Sequence, residues 1–219
     1  MAQRENGAET RSRILHSACE LFAEKGYHAA RVADICKRAG ANVAAVNYYF
    51  GDKASLYIEA WREAFKKYTV PQLPESANIF PEEQLQIYIY TLMQNYMAPV
   101  PDTQRQFTRL YLMELVNPTG LIQNMWHDLV EPRRQVLLGI IRKLMATEDT
   151  DETVLFCEMS IISQCRALLN IRRSDLEYLL DQSLSPDLIK RLADHITRFS
   201  LAGIKAVADA RHDPDSVRT

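Results

Sequence analysis

The sequence predicts an all-α protein, and three observations carry that expectation. Apolar residues recur three and four positions apart through almost every stretch of the chain, the spacing of amphipathic helices. No segment sustains the strict alternation of a half-buried strand. Prolines at 71, 74, 81, 99, 101, 118, 132 and 186 fall between the periodic stretches, where they cannot break a helix interior. The 219 residues, 47% hydrophobic and 25% charged, hold enough apolar material for a small domain fused to a larger one.

The first helix is expected from about residue 10 to 25, with Ile14, Leu15, Ala18, Leu21 and Phe22 on one stripe and Gly26 as its stop. A short second helix covers 32–39, where Val32, Ile35, Cys36 and Ala39 face inward. Gly40 suits a left-handed helix end, and Asn42 suits the cap of the next helix. That third helix spans 43–50 before Gly51-Asp52 stops it. Barely two turns long, it is too short to build a core. Val46 and Phe50 anchor it inward, while Ala44, Ala45, Asn47 and Tyr48 point mostly away. A tight helix-turn-helix with small and hydrogen-bonding side chains outermost suits the major groove of duplex DNA. A fourth helix begins near 52–53 and carries Leu56, Tyr57, Ala60, Trp61, Ala64, Phe65 and Tyr68, enough apolar surface for two neighbours.

Pro71, Pro74 and Pro81 then interrupt the helical pattern, which places a domain join there. The expected division is a helix-turn-helix domain at 8–68, a connecting segment at 69–81, a larger helical domain at 82–208 and a flexible tail at 209–219. Helices in the larger part are expected at 82–97, 103–116, 119–130, 132–146, 152–171, 174–183 and 186–208. Residues 154–169 are apolar on more than one face. The last helix aligns Leu188, Ile189, Leu192, Ile196, Phe199, Gly203 and Ala206, and its Ala202, Gly203 and Ala206 admit a close neighbour. Pairing with the same helices of a second copy accounts for both features, and packing inside one subunit is the competing reading. The homodimer residues expected are Ile161, Cys165, Leu168, Leu192, Ile196, Phe199 and Gly203.

Composition narrows the function. No apolar run approaches the roughly 18–20 residues a bilayer span needs, so no membrane partner is expected. The opening residues Met-Ala-Gln-Arg-Glu-Asn-Gly lack the apolar stretch of a secretory signal, which makes the cytoplasm the expected location. Cys19, Cys36, Cys157 and Cys165 stand singly on apolar patterns, as buried thiols do; no metal is expected. Residues 1–67 carry 11 Lys+Arg against 8 Asp+Glu, and residues 68–219 carry 15 against 20. The N-terminal segment therefore faces an anion, although +3 is modest for a nucleic-acid binder. The chain has no nucleophile beside a base, no paired carboxylates in a loop and no glycine-rich phosphate cradle. Neither an enzyme nor a cofactor is expected.

Three runs of residues carry a family resemblance. They are Ile14-Leu15-x-x-Ala18-x-x-Leu21-Phe22-x-x-x-Gly26-Tyr27, Val32-x-Asp34-Ile35-Cys36-x-x-Ala39-Gly40, and Asn47-Tyr48-Tyr49-Phe50-Gly51-Asp52-Lys53-x-x-Leu56. Together they resemble the DNA-binding domain of the TetR family of bacterial transcriptional regulators over about residues 10–68. Arg109, Glu114, Pro118-Thr119, Pro132 and Ser160-x-x-x-Gln164 resemble the CecR-like branch. The resemblance implies a three-helix DNA-binding head, a connecting fourth helix, a ligand-binding helical body and a homodimer formed largely by the last two helices. It also implies a palindromic double-stranded DNA operator and release by a small-molecule inducer, most often from repression. A protein that kept this fold but binds a partner protein instead of an operator is the alternative.

Carried over residue by residue, Val43, Ala44, Ala45 and Asn47 match base-facing positions, and Arg31, Tyr48, Tyr49 and Lys53 match phosphate contacts. Chemistry agrees at several of them. An amide such as Asn47 pairs with adenine, and Ala or Val meets a thymine methyl. Arg31 stands where the family carries Ser or Thr, so it reaches phosphate but cannot cap. Tyr49 reads equally as a core aromatic. Lys37 and Arg38 touch the backbone or face water, and Arg4, Arg11 and Arg13 are candidates for a flexible arm along the groove. In the larger part, Tyr88, Met93, Tyr96, Met97, Arg109, Met113, Glu114, Trp126 and His127 are expected around an internal cavity. The ligand contacts among them are Tyr96, Arg109, Met113, Glu114, Trp126 and His127; Arg109 and Glu114, charges in apolar surroundings, pair with each other or orient a polar ligand.

Overall fold

The structure is a computed structural model that describes residues 2–66, 79–97, 102–169 and 171–212. Those residues form eleven helices: α1 Ala2–Ala29, α2 Val32–Ala39, α3 Val43–Phe50, α4 Lys53–Lys66, α5 Pro81–Met97, α6 Asp102–Val116, α7 Gln123–Leu129, α8 Glu131–Leu144, α9 Glu152–Ala167, α10 Arg173–Leu180 and α11 Pro186–His212. No strand occurs among the described residues, as the missing alternation predicted.

Local signals place α2 and α3 at the expected bounds. Gly40 ends α2 in the left-handed region at φ 61°, and its N–H bonds back to the last turn. Asn42 then accepts from Ala45 N–H at 2.8 Å and starts α3. Arg31 occupies the N-cap of α2 with no side-chain cap bond, as its chemistry requires. Other bounds differ from expectation. α1 begins at Ala2, not near residue 10, so Arg11 and Arg13 lie on a helix and not on a flexible arm. Gly26 breaks α1 at φ 72°, ψ 173°, a region open essentially to glycine alone, yet the chain turns again through Tyr27. α7 starts at Gln123 and not at 119, because Thr119 Oγ1 accepts from Leu121 N–H and Gly120 adopts φ 73°. α8 stops at Leu144 ahead of Ala146 at φ 51°, and α10 stops at Leu180 ahead of left-handed Asp181. α9 ends at Ala167, short of 171. α11 runs on to His212 past the expected tail boundary, carried by the Lys205–Asp209 and Arg211–Asp151 ion pairs. Of the expected connecting segment at 69–81, residues 69–78 lie outside the described residues and Pro81 already opens α5; of the expected tail at 209–219, residues 213–219 lie outside them and 209–212 belong to α11.

The helices fall into two compact units, and the expected larger domain is shared between them. One unit holds α1–α4 with α6 and α7; the other holds α5 and α8–α11. α6 joins the first unit because its Phe107 completes an aromatic cluster, lying edge-on to Trp61 at 5.4 Å and to Phe65 at 5.2 Å. Ile14, Leu21, Phe22, Ile35, Val46, Leu56, Tyr57 and Leu110 fill the rest of that core. In the second unit, α5, α8, α9 and α11 enclose Leu85, Ile89, Met93, Leu137, Ile140, Ile141, Val154, Ile161 and Ile189. Thus Tyr88, Met93 and Met97 are buried core residues there.

All four cysteines are free and buried, as expected. Burial pushes the thiols of Cys36 and Cys157 up and that of Cys165 to about 12, so they stay protonated and unreactive.

Candidate nucleic-acid interface

The outer face of α3 is built by what holds its inner face. Val46 is fully buried and Phe50 nearly so, with the Arg11 guanidinium 4.8 Å over the Phe50 ring. Val43, Ala44, Asn47 and Tyr48 occupy the opposite side and are exposed, Tyr48 at 82%. Ala45 is half-buried at the edge. Fixed at its start by Asn42 and along its length by two anchors, this short helix presents the small side chains of Val43 and Ala44, a single amide at Asn47 and the projecting ring of Tyr48. The major groove admits an α-helix, and small side chains with one amide suit its base edges.

Candidate phosphate contacts flank that face. Tyr48 lies edge-on to Tyr49 at 4.9 Å. Tyr49 is half-buried and its hydroxyl rests against α1, where a Cβ on Gly7 would lie 3.1 Å from it. Tyr49 therefore combines packing with a polar tip near the surface. Lys53 opens α4 beside Asp52, whose carboxylate accepts from Ser55 N–H at 2.7 Å. Its ammonium sits 4.5 Å over the Tyr27 ring, and partial burial lowers its pKa. Arg31 and Lys37 are exposed and form no ion pair among the described residues. Arg38, by contrast, is committed to Glu24 at 2.8 and 3.0 Å, and Arg11 to Glu59 at 3.0 Å. The side chain of Arg4 lies outside the described residues.

The expected ligand contacts are only partly brought together. Glu114 and His127 line one cleft of about 490 Å³ with Tyr111, Leu115, Pro118, Gly120, Ile122 and Gln123, all on the first unit. Tyr96 belongs to the other unit and is half-buried there. Arg109 is exposed on α6, and Met113 faces Gly26. The side chain of Trp126 lies outside the described residues. Glu114 is not paired with Arg109. Its carboxylate accepts from Tyr57 O–H at 2.9 Å, from Thr119 N–H at 2.8 Å and from Thr119 O–H at 2.9 Å. Tyr57, Tyr27 and Thr119 were not legible as site residues, since a tyrosine on an apolar stripe reads as core until its hydroxyl partner is known.

The apolar seam expected for a second copy is displaced by part of a helical turn. Ile161, Cys165 and Ile196 point into the core of their own unit, so they present nothing to a partner. Of the expected residues, Phe199, 63% exposed, and Gly203 do lie on the exposed stripe, which Phe156, Met159, Ala202 and Val207 complete. Leu168 and Leu192 are half-buried and pack against the same core as Ile161. The cause is that α9 is apolar on several faces, so its sequence cannot say which face the subunit keeps.

Among the described residues no cluster of His, Cys, Asp or Glu forms a metal site, and no helix is long and apolar enough to cross a membrane.

Comparison with known proteins agrees with this geometry. Residues 14–60 match the family model described as bacterial regulatory proteins, tetR family, and residues 81–204 match the C-terminal domain of the HTH-type transcriptional dual regulator CecR. The HTH-type transcriptional regulator AcrR of Shigella flexneri is 25% identical over 207 residues, covering 92% of this chain and 79% of that protein. The probable HTH-type transcriptional regulator YttP of Bacillus subtilis is 27% identical over 137 residues, 61% of this chain and 64% of the relative. Among solved structures, HlyIIR, a hemolysin II transcriptional regulator, superposes with a TM-score of 0.60 at 19% identity, covering 87% of this chain and 98% of its own. A transcriptional regulator from Rhodococcus sp. Rha1 gives 0.62 at 15%, covering 88% and 96%. With an exposed, doubly anchored α3 and both of its parts matched, this chain belongs to the TetR family of bacterial transcriptional regulators and carries a CecR-type C-terminal domain.

Proposed function

We propose that the protein is a cytoplasmic, ligand-responsive repressor that binds a palindromic operator as a homodimer. The carrying observation is the outer face of α3, where Val43, Ala44, Asn47 and Tyr48 stand free on a helix pinned by Val46 and Phe50. Two such helices enter successive major grooves about 34–36 Å apart. Asn47 supplies the hydrogen-bonding readout, Val43, Ala44 and Ala45 lie against base edges, and Arg31, Tyr48, Tyr49 and Lys53 hold phosphates. The exposed Phe156, Met159, Phe199 and Gly203 stripe supports self-association through α9 and α11. The cleft beside Glu114 and His127 is the inducer site. A fold relative described as the flavonoid-responsive regulator FrrA, 20% identical over 90% of this chain with a TM-score of 0.55, is in keeping with ligand control.

The test is selection of duplexes from a random pool by the full chain, followed by gel-shift titration. A palindromic site is expected, and Asn47→Ala should weaken it by about 1–3 kcal/mol, mostly at one base position. Failure to enrich any duplex at low salt refutes operator binding. An Asn47→Ala protein that binds as before removes α3 as the reader.

A further inference from the structure

Resting on the reading of this cleft as the inducer site, we infer that its ligand is a small organic cation, an ammonium on an apolar body, with Glu114 as its anchor. Glu114 is only 8% exposed, and among the described residues it forms no ion pair. Its partners among the described residues are neutral dipoles. Leu121 N–H donates to Thr119 Oγ1 at 3.1 Å, which leaves the Thr119 hydroxyl proton to point at Glu114. Thr119 N–H and Tyr57 O–H are donors as well. Burial raises the Tyr57 pKa, with Glu114 adding to the rise and Trp61 opposing it, so the phenol keeps its proton. Three donors therefore meet a carboxylate that has about four acceptor positions. They make four contacts, the Thr119 hydroxyl reaching Oε2 at 3.2 Å as well as Oε1, but no cation meets this carboxylate among the described residues, and a buried charge is costly unless paired.

The cleft offers both halves of a cationic ligand their complement. Tyr111, Leu115, Pro118 and Ile122 supply apolar walls beside Glu114. Its volume, about 490 Å³, lies within the range of small-molecule sites. A neutral molecule of the same shape gains the walls but not the charge. An anion meets repulsion.

The same carboxylate oxygen leads to the reading head. Glu114 Oε2 is held by Tyr57, one turn beyond Lys53 on α4. The Tyr57 ring lies 5.0 Å from that of Tyr27, which carries the Lys53 ammonium. A cation that draws Glu114 toward the cleft acts directly on the α4 residue packed behind the phosphate contact.

Three dansyl probes that share a pentyl tether and end in an ammonium, a methyl or a carboxylate test the inference on the full chain by fluorescence titration. The ammonium probe is expected to bind at least about tenfold more tightly than the methyl probe, with the carboxylate probe weakest; a tenfold ratio corresponds to about 1.4 kcal/mol. Glu114→Gln should bring the ammonium probe down to the methyl probe. Leu115→Trp, at a wall position that is 46% exposed, should block both without disturbing the core. Equal binding of the three probes overturns the inference, as does a cation preference that survives Glu114→Gln. If that variant does not fold, the probe series on the unaltered chain decides alone. Duplex selection with the same preparation is scored separately. A chain that prefers the cation but selects no DNA sinks the operator reading, and one that selects DNA without preferring the cation sinks this one.

Discussion

The two compact units solve the problem of a core differently. The first is aromatic: Phe22, Phe50, Tyr57, Trp61, Phe107 and Tyr111 are buried in it, and most of its ring contacts are edge-on or tilted. The second is aliphatic and methionine-rich, with Tyr88 as its one buried ring among the described residues. Edge-on rings fix an angle as well as a distance, because quadrupole attraction is directional. Aliphatic side chains fill volume with little preference for angle. The unit that carries α3, the recognition helix proposed above, is the one built from directional contacts.

Three measurements break or sharpen this contrast. Trp61→Ala, at a site 2% exposed between Tyr57 and Phe107, should cost about 3–5 kcal/mol in urea unfolding. Ile140→Val in the second unit should cost about 0.5–1.5 kcal/mol and leave α3 untouched; losses of equal size would remove the distinction. Tyr57→Phe keeps the ring contacts and deletes only the donor to Glu114, so it isolates the polar link from the packing. The expected loss is about 1.5–3 kcal/mol, since the lost bond is to a charged group, and calorimetry of the two proteins reads it.

The smallest effect concerns the surface. The hydrogen bond from Arg38 holds the Glu24 carboxyl below its usual pKa of 4.5, and the charge of Arg38 adds to it. A depressed acid stabilises the fold above its unfolded pKa and loses that contribution as pH falls through the folded value. Thermal melts of the native chain and Glu24→Gln should therefore differ above pH 4.5 and converge below it. Both side chains are more than one-third exposed, so solvent screening keeps the difference under about 1 kcal/mol.

The contrast also explains what was legible in the sequence. α2 and α3 came out at their bounds because Gly40, Asn42 and the Val46–Phe50 spacing act within a few residues of themselves. The outward face of α3 followed from the same spacing. The placement of α6 did not, because Phe107 meets Trp61 across 46 positions of chain and nothing near Phe107 encodes that partner. Glu114 stood out as a charge in apolar surroundings, but its donors Tyr57 and Thr119 became visible only once the helices were packed. On α9, several apolar faces left the choice between Ile161 and Met159 undetermined until one of them was buried.

Most cations of the reading head already have partners inside it. Arg11 holds Glu59, Arg13 holds Glu9, Lys25 holds Asp34, and Arg38 holds Glu24. Lys53 rests on a ring. Few positive charges are left to displace counterions from DNA, and the slope of affinity against salt scales with the number of phosphates neutralised. In the operator complex proposed above, affinity should then fall only shallowly with rising salt, so that an osmotic upshift dislodges less of the protein than it would of a strongly basic binder.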